Sequence, residues 1–90
     1  MSMSNTARST MVTNLRTYLR GLATRRSNNI VTADDAHTWL TRNNVSTRKI
    51  RTRLSLINSA FMGDENFYAV GTTPSVREAA KGRQITEWSI

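Results

Sequence analysis

The chain has no cysteine, one proline and one histidine among its 90 residues. Without thiols there is no disulfide framework and no thiolate metal site, and nothing asks for an oxidising compartment, so a cytoplasmic setting is expected. Long apolar runs are missing too. None approaches the roughly 20 residues of a membrane span, and Met1 to Thr10 lacks the apolar stretch of a secretory signal, so no membrane partner is expected. Acid is scarce: 6 Asp and Glu stand against 13 Lys and Arg, a formal charge of +7. That balance predicts attraction to polyanions.

The scarcity is uneven along the chain. Up to Gly63 ten basic residues (Arg8, Arg16, Arg20, Arg25, Arg26, Arg42, Arg48, Lys49, Arg51, Arg53) face only Asp34 and Asp35, whereas from Asp64 onward three basic residues meet four acidic ones. A surface built for solubility alone usually mixes signs or carries excess acid, so the asymmetry favours nucleic acid as partner. The length allows one domain with a core of modest size. Residues 1–9 read as a disordered polar tail and 10–90 as the domain.

Met11, Leu15, Tyr18, Leu19 and Leu22 recur at the spacing that gathers side chains on one side of a helix, over about residues 10–25. Asn28 and Asn29 mark a turn. Ile30 and Val31 are too few for an independent strand but suit a short edge on a sheet formed elsewhere. Thr32 then fits the head of a capping box, with Asp35 in the usual Glu position and both acids at the positive end of the helix dipole. The second helix should begin at Ala33, turn Ala36, Trp39 and Leu40 inward, and stop near Asn43 and Asn44, which tolerate the left-handed conformation.

A third helix is announced by Ser46 as cap and by Val45 and Ile50 as a hydrophobic staple. Ile50, Leu54, Ile57 and Phe61 form its expected buried stripe, which leaves Arg48, Lys49, Thr52, Ser55 and Ser59 outward, with Arg51 and Arg53 at the margins. Leu56 falls on the outer side, beneath a later element or against a second subunit. Phe67 to Thr72 and Gln84 to Ile90 read as strands. Phe67 and Val70 cannot both face inward in an unbroken strand, so a bulge or twist is expected near Ala69. The connecting loop contains Pro74 and Gly82 and is charged by Arg77, Lys81 and Arg83.

Helix, short strand, helix, helix, long hairpin is an order that resembles the winged-helix family, over about residues 10–90. The hairpin is also similar to that of small bacterial and bacteriophage winged-helix proteins in Phe67, Val70, Gly71, then Thr73, Ser75, Arg77, then Gly82, Arg83 and Trp88. The resemblance implies an α+β winged helix-turn-helix: three helices on a small antiparallel sheet with a hairpin wing. It also implies double-stranded DNA as partner, with the third helix in the major groove. Val76 and Glu78-Ala-Ala80 depart from a phosphate-contacting wing, and winged helices also serve as protein-interaction modules, so that alternative stays open.

In the DNA reading Arg48, Lys49 and Thr52 meet base edges, Arg51 and Arg53 face the strand backbones, and Ser55 extends the surface. Arg77, Lys81 and Arg83 would supply wing contacts. Lys49 with Arg53, and Arg16 with Arg20, are like charges four apart, each destabilising an isolated helix by roughly 0.2–0.5 kcal/mol, which an anionic partner would offset. Arg16 and Arg20 suit a solvated face equally well. A lone module reads few base pairs, so specificity calls for a homodimer or a partner protein.

Catalysis has little to stand on. His37 has no nucleophile motif beside it and reads as a solvated helix residue. Asp34-Asp35 and Asp64-Glu65 are explained by capping and a turn rather than by Mg²⁺. Neither a glycine-rich phosphate loop nor zinc-ligand spacing occurs, so no cofactor or metal is expected. Tyr18, Trp39, Phe61, Phe67 and Trp88 read as core rather than as a base-stacking platform.

Overall fold

The computed structural model describes residues 5–43, 50–63 and 66–90. These form a small α+β domain with helices α1 (Asn5–Arg25), α2 (Ala33–Arg42) and α3 (Ile50–Met62) and strands β1 (Ile30–Val31), β2 (Tyr68–Pro74) and β3 (Gln84–Ser89). The sheet is antiparallel in the spatial order β1-β3-β2. Asn44, Val45, Ser46, Asp64 and Glu65 lie outside the described residues. Among those described, no helix is long and apolar enough to cross a membrane.

α1 begins at Asn5, inside the segment that reads as a polar tail. Composition missed this turn because its hold is tertiary: the Arg8 guanidinium donates to Ser55 Oγ at 2.9 Å and Ser59 Oγ at 2.8 Å on α3. Farther along, Thr13, Thr17 and Thr24 donate to the carbonyls four residues back, which lets hydroxyl residues sit within a helix. Leu15 and Leu19 are fully buried as the periodicity predicts, joined by Val12 and Ala23. Asn29 holds φ +56°, in the left-handed region that asparagine tolerates, and turns the chain into β1.

α2 keeps its predicted start. Thr32 and Asp35 form the capping box, with the Thr32 N–H donating to Asp35 Oδ2 at 2.9 Å. Asp35 also accepts two bonds from the Arg26 guanidinium, at 2.8 and 2.9 Å, and this pairing raises the arginine's pKa further above its ordinary value. At the other end Asn43 has φ −93°, not the left-handed conformation expected there; its backbone N–H and its side-chain amide both donate to the Trp39 carbonyl, at 3.0 and 2.9 Å.

α3 departs from its expected register. Leu54 is 42% exposed, whereas Leu56 is fully buried beside Ile57, Ala60 and Phe61. The buried side is thus turned by roughly 60° from the stripe of largest side chains, at 100° per residue. Small Ala60 lets α3 lie close to α1. Arg16 seals the end of this seam, donating from Nε to the Ala60 carbonyl at 3.0 Å and from Nη2 to the Ser59 carbonyl at 2.7 Å. Gly63 is required beside it, since a Cβ there would fall 2.5 Å from Arg16 Nη2 and 2.9 Å from the Ser59 oxygen.

β3 is the central strand, and its Trp88 lies opposite Val31 on one side and Ala69 on the other. The Trp88 ring stacks on Phe61 at 5.1 Å and 6°, while Phe67 meets Phe61 edge-on at 5.3 Å. Tyr18 and Trp39 form a second, tilted pair at 6.1 Å. The register between β2 and β3 shifts between Ala69 and Gly71, so the expected bulge falls at Val70, whose side chain stays exposed. β2 runs two residues farther than predicted, to Pro74, and β3 ends at Ser89.

Candidate functional site

The loop between β2 and β3 folds back onto the start of α2. Ser75, 2% exposed, donates its hydroxyl to Asp34 Oδ1 at 2.7 Å, and the Val76 N–H donates to Asp34 Oδ2 at 2.9 Å. Arg77 Nε lies 3.6 Å from the same carboxylate. The loop closes on itself through Ser75 N–H to the Arg83 carbonyl at 2.8 Å and Gly82 N–H to the Ser75 carbonyl at 3.0 Å, around a short 3-10 turn at Glu78–Ala80. Gly82 permits this with φ +86°, a conformation that disfavours any side chain. Asp34, which reads as a helix-dipole residue, therefore also latches the hairpin.

Beside the latch, α2, α3 and the hairpin border an open cleft of about 400 Å³ lined by His37, Thr38, Thr41, Arg42, Arg53 and Arg77. Arg53 is half-buried and donates to Thr41 Oγ1 at 3.0 Å, so it faces α2 instead of lying at an outer margin. The turned register of α3 is the reason. His37 is 4% exposed, which corrects its reading as a solvated residue, and its Nδ1 has no hydrogen-bond partner among the described residues. Burial pushes its pKa down to about 4, with the positive charges of Arg77 and Arg53 adding to the effect and Asp34 opposing it. The imidazole is therefore neutral at physiological pH.

The other sequence-predicted residues scatter. Arg16 is committed to the end of α3. Arg20 is exposed and lines a shallow depression with Thr24, Asn29, Asn66 and Ile90. Arg48 and Lys49 lie outside the described residues, as do the side chains of Arg51 and Thr52. Ser55 is exposed but accepts from Arg8. Lys81 and Arg83 are exposed on the hairpin, whereas Arg77 is half-buried against Asp34.

Sequence reasoning passed over His37, Thr38, Thr41 and Arg42 as a group. Their spacing carried a signal, because His37 with Thr41 and Thr38 with Arg42 are each four apart and so adjacent on the helix surface. The latch carried none: Asp34 and Ser75 are 41 residues apart. Among the described residues no group of three or more His, Asp or Glu could hold a metal ion. The chain matches no protein-family model, no curated protein and no solved structure.

Proposed function

We propose that the chain is a winged-helix module that binds double-stranded DNA, with α3 in the major groove and the β2–β3 hairpin as a basic wing, serving as a regulator or as a replication or recombination accessory. The observation that carries this reading is the charge asymmetry: ten basic residues against two acidic ones up to Gly63. In the folded chain α2, α3 and the hairpin each contribute an arginine to the lining of one cleft, Arg42, Arg53 and Arg77. In this reading the protein binds and does not catalyse. Arg48, Lys49, Arg51 and Thr52 are the proposed contacts from α3 and the segment before it, joined by Lys81 and Arg83 from the wing. Arg16 is withdrawn from that set by its bonds to α3.

A protein-docking role is the second reading, favoured by the apolar side chains of Tyr68, Val70 and Val76 exposed along the hairpin. Duplex affinity measured across a salt series separates the two. Each phosphate contact contributes about −0.9 to the slope of log K against log salt, so roughly five contacts give about −4.5. Replacing Lys81 and Arg83 together by alanine should flatten the slope by about one to two units without unfolding the protein. Failure to retain any duplex at low salt rejects the DNA reading and leaves protein docking.

A further inference from the structure

The cleft between α2, α3 and the hairpin combines features that neither a solvated arginine cluster nor a packing defect requires. Three arginines from separate elements, Arg42, Arg53 and Arg77, line it, and the Asp34 carboxylate lies 3.6 Å from Arg77 Nε. That carboxylate is already occupied by Ser75 and Val76. Thr41 accepts from Arg53, which leaves the hydroxyl proton of Thr41 to donate elsewhere. His37 adds a buried imidazole nitrogen without a partner among the described residues, a costly arrangement where nothing compensates it. Among the described residues, arginines from three separate elements therefore border a space open to solvent.

From this arrangement we infer that the cleft is a phosphate-binding site, taking a phosphoryl oxyanion between Arg42 of α2, Arg53 of α3 and Arg77 of the hairpin. Guanidinium forks pair with phosphate oxygens in directional, charge-assisted bonds. Donors arriving from three directions suit a tetrahedral oxyanion better than a planar carboxylate, which offers two oxygens in one plane. The bound anion would also set its negative charge against the fields of Arg53 and Arg77, which add to burial in lowering the His37 pKa. The groups acting on His37 are thus Asp34 from its own helix, Arg53 from α3, Arg77 from the hairpin, and the anion itself. The inference does not depend on duplex binding, because a phosphorylated small molecule presents the same chemistry as a backbone phosphate.

The test follows the His37 ring resonances by NMR as inorganic phosphate is added, with sodium chloride and sodium acetate as controls at matched ionic strength. Phosphate should shift the resonances saturably and raise the apparent His37 pKa from about 4 by about one unit, the effect of an opposite charge a few ångströms away. Arg42 is exposed on α2, so Arg42→Gln should fold normally while binding phosphate about tenfold more weakly, the loss of one charge-assisted bond. Equal shifts from chloride or acetate, or superimposable titrations for wild type and Arg42→Gln, overturn the site. A short duplex added to the phosphate-loaded protein identifies the source. Displacement of phosphate assigns the cleft to a backbone phosphate. Retention of phosphate assigns it to a free phosphorylated ligand, supporting the site while counting against the DNA reading.

Discussion

Two seams hold this domain together, and they are made of different materials. Between α1 and α3 the contact is apolar, built from Leu15, Leu19, Leu56, Ile57, Ala60 and Phe61, with the Arg8 and Arg16 guanidinium groups closing its edges. Between α2 and the hairpin the joint is polar: one carboxylate, Asp34, gathers a buried hydroxyl, a backbone N–H and a guanidinium. Apolar burial is non-directional and indifferent to proton concentration, whereas a carboxylate latch beside a buried imidazole depends on which groups are charged. The first seam should set global stability. The second should set how firmly the hairpin and the cationic cleft are held.

The largest effect expected is at the apolar seam. Phe61→Ala removes the ring that both Trp88 and Phe67 pack against, and should cost about 3–5 kcal/mol, enough to unfold a small domain. Leu56→Ala should cost about 2–5 kcal/mol, while Leu54→Ala, at a half-exposed position, should stay below about 1 kcal/mol. Denaturant midpoints for the three variants check this order. Equal losses at positions 54 and 56 would break the register of α3 and with it the description of the seam.

That register shows where sequence reading stops. α1 and α2 were legible because their signals are local: apolar residues at helical spacing in one, and Thr32 with Asp35 in the other. β1 was legible as an edge because two β-branched residues cannot stand alone. α3 offers two overlapping apolar stripes that share Ile57 and Phe61. Leucine at both 54 and 56 gives composition no means of choosing between them; only close approach to α1 at Ala60 decides. The same turn moves Arg53 from an outer margin to the cleft. Of the candidate site, individual charges were visible in the sequence, but their convergence depends on Asp34 catching a serine 41 residues away.

Acid should act on the polar seam first. The unfolded chain takes up a proton on His37 near pH 6.5, whereas the native state resists until about pH 4. Stability is therefore complete above pH 6.5 and falls as pH drops from 6.5 towards 4, by up to about 3 kcal/mol in all. His37→Gln should remove that slope, as read from denaturant midpoints across the range. If the wild-type midpoint did not change between pH 6.5 and 4 beyond what the variant shows, His37 would not be held neutral, and the contrast between the seams would weaken.

A smaller and more local effect is expected from Asp34→Asn, which keeps the shape of the latch but removes its charge. The expected loss is about 2 kcal/mol, in line with hydrogen bonds to a charged group. Amide exchange should report it unevenly: protection at Ser75 and Gly82 should fall while amides in the middle of α1 and α3 keep theirs. A uniform loss of protection would mean that the two seams form one cooperative unit.

The bulge at Val70 has a consequence for how copies of this chain behave together. Among the described residues β2 has β3 as its single neighbour in the sheet, so its far side carries backbone donors and acceptors that another strand can recruit, and the exposed Tyr68 and Val70 offer that strand adhesive side chains. The register shift between Ala69 and Gly71 breaks the even spacing such recruitment needs, and Pro74 at the strand's end withholds a donor. Together they act as gatekeepers against open-ended self-templating, a hazard that a basic surface does not by itself remove.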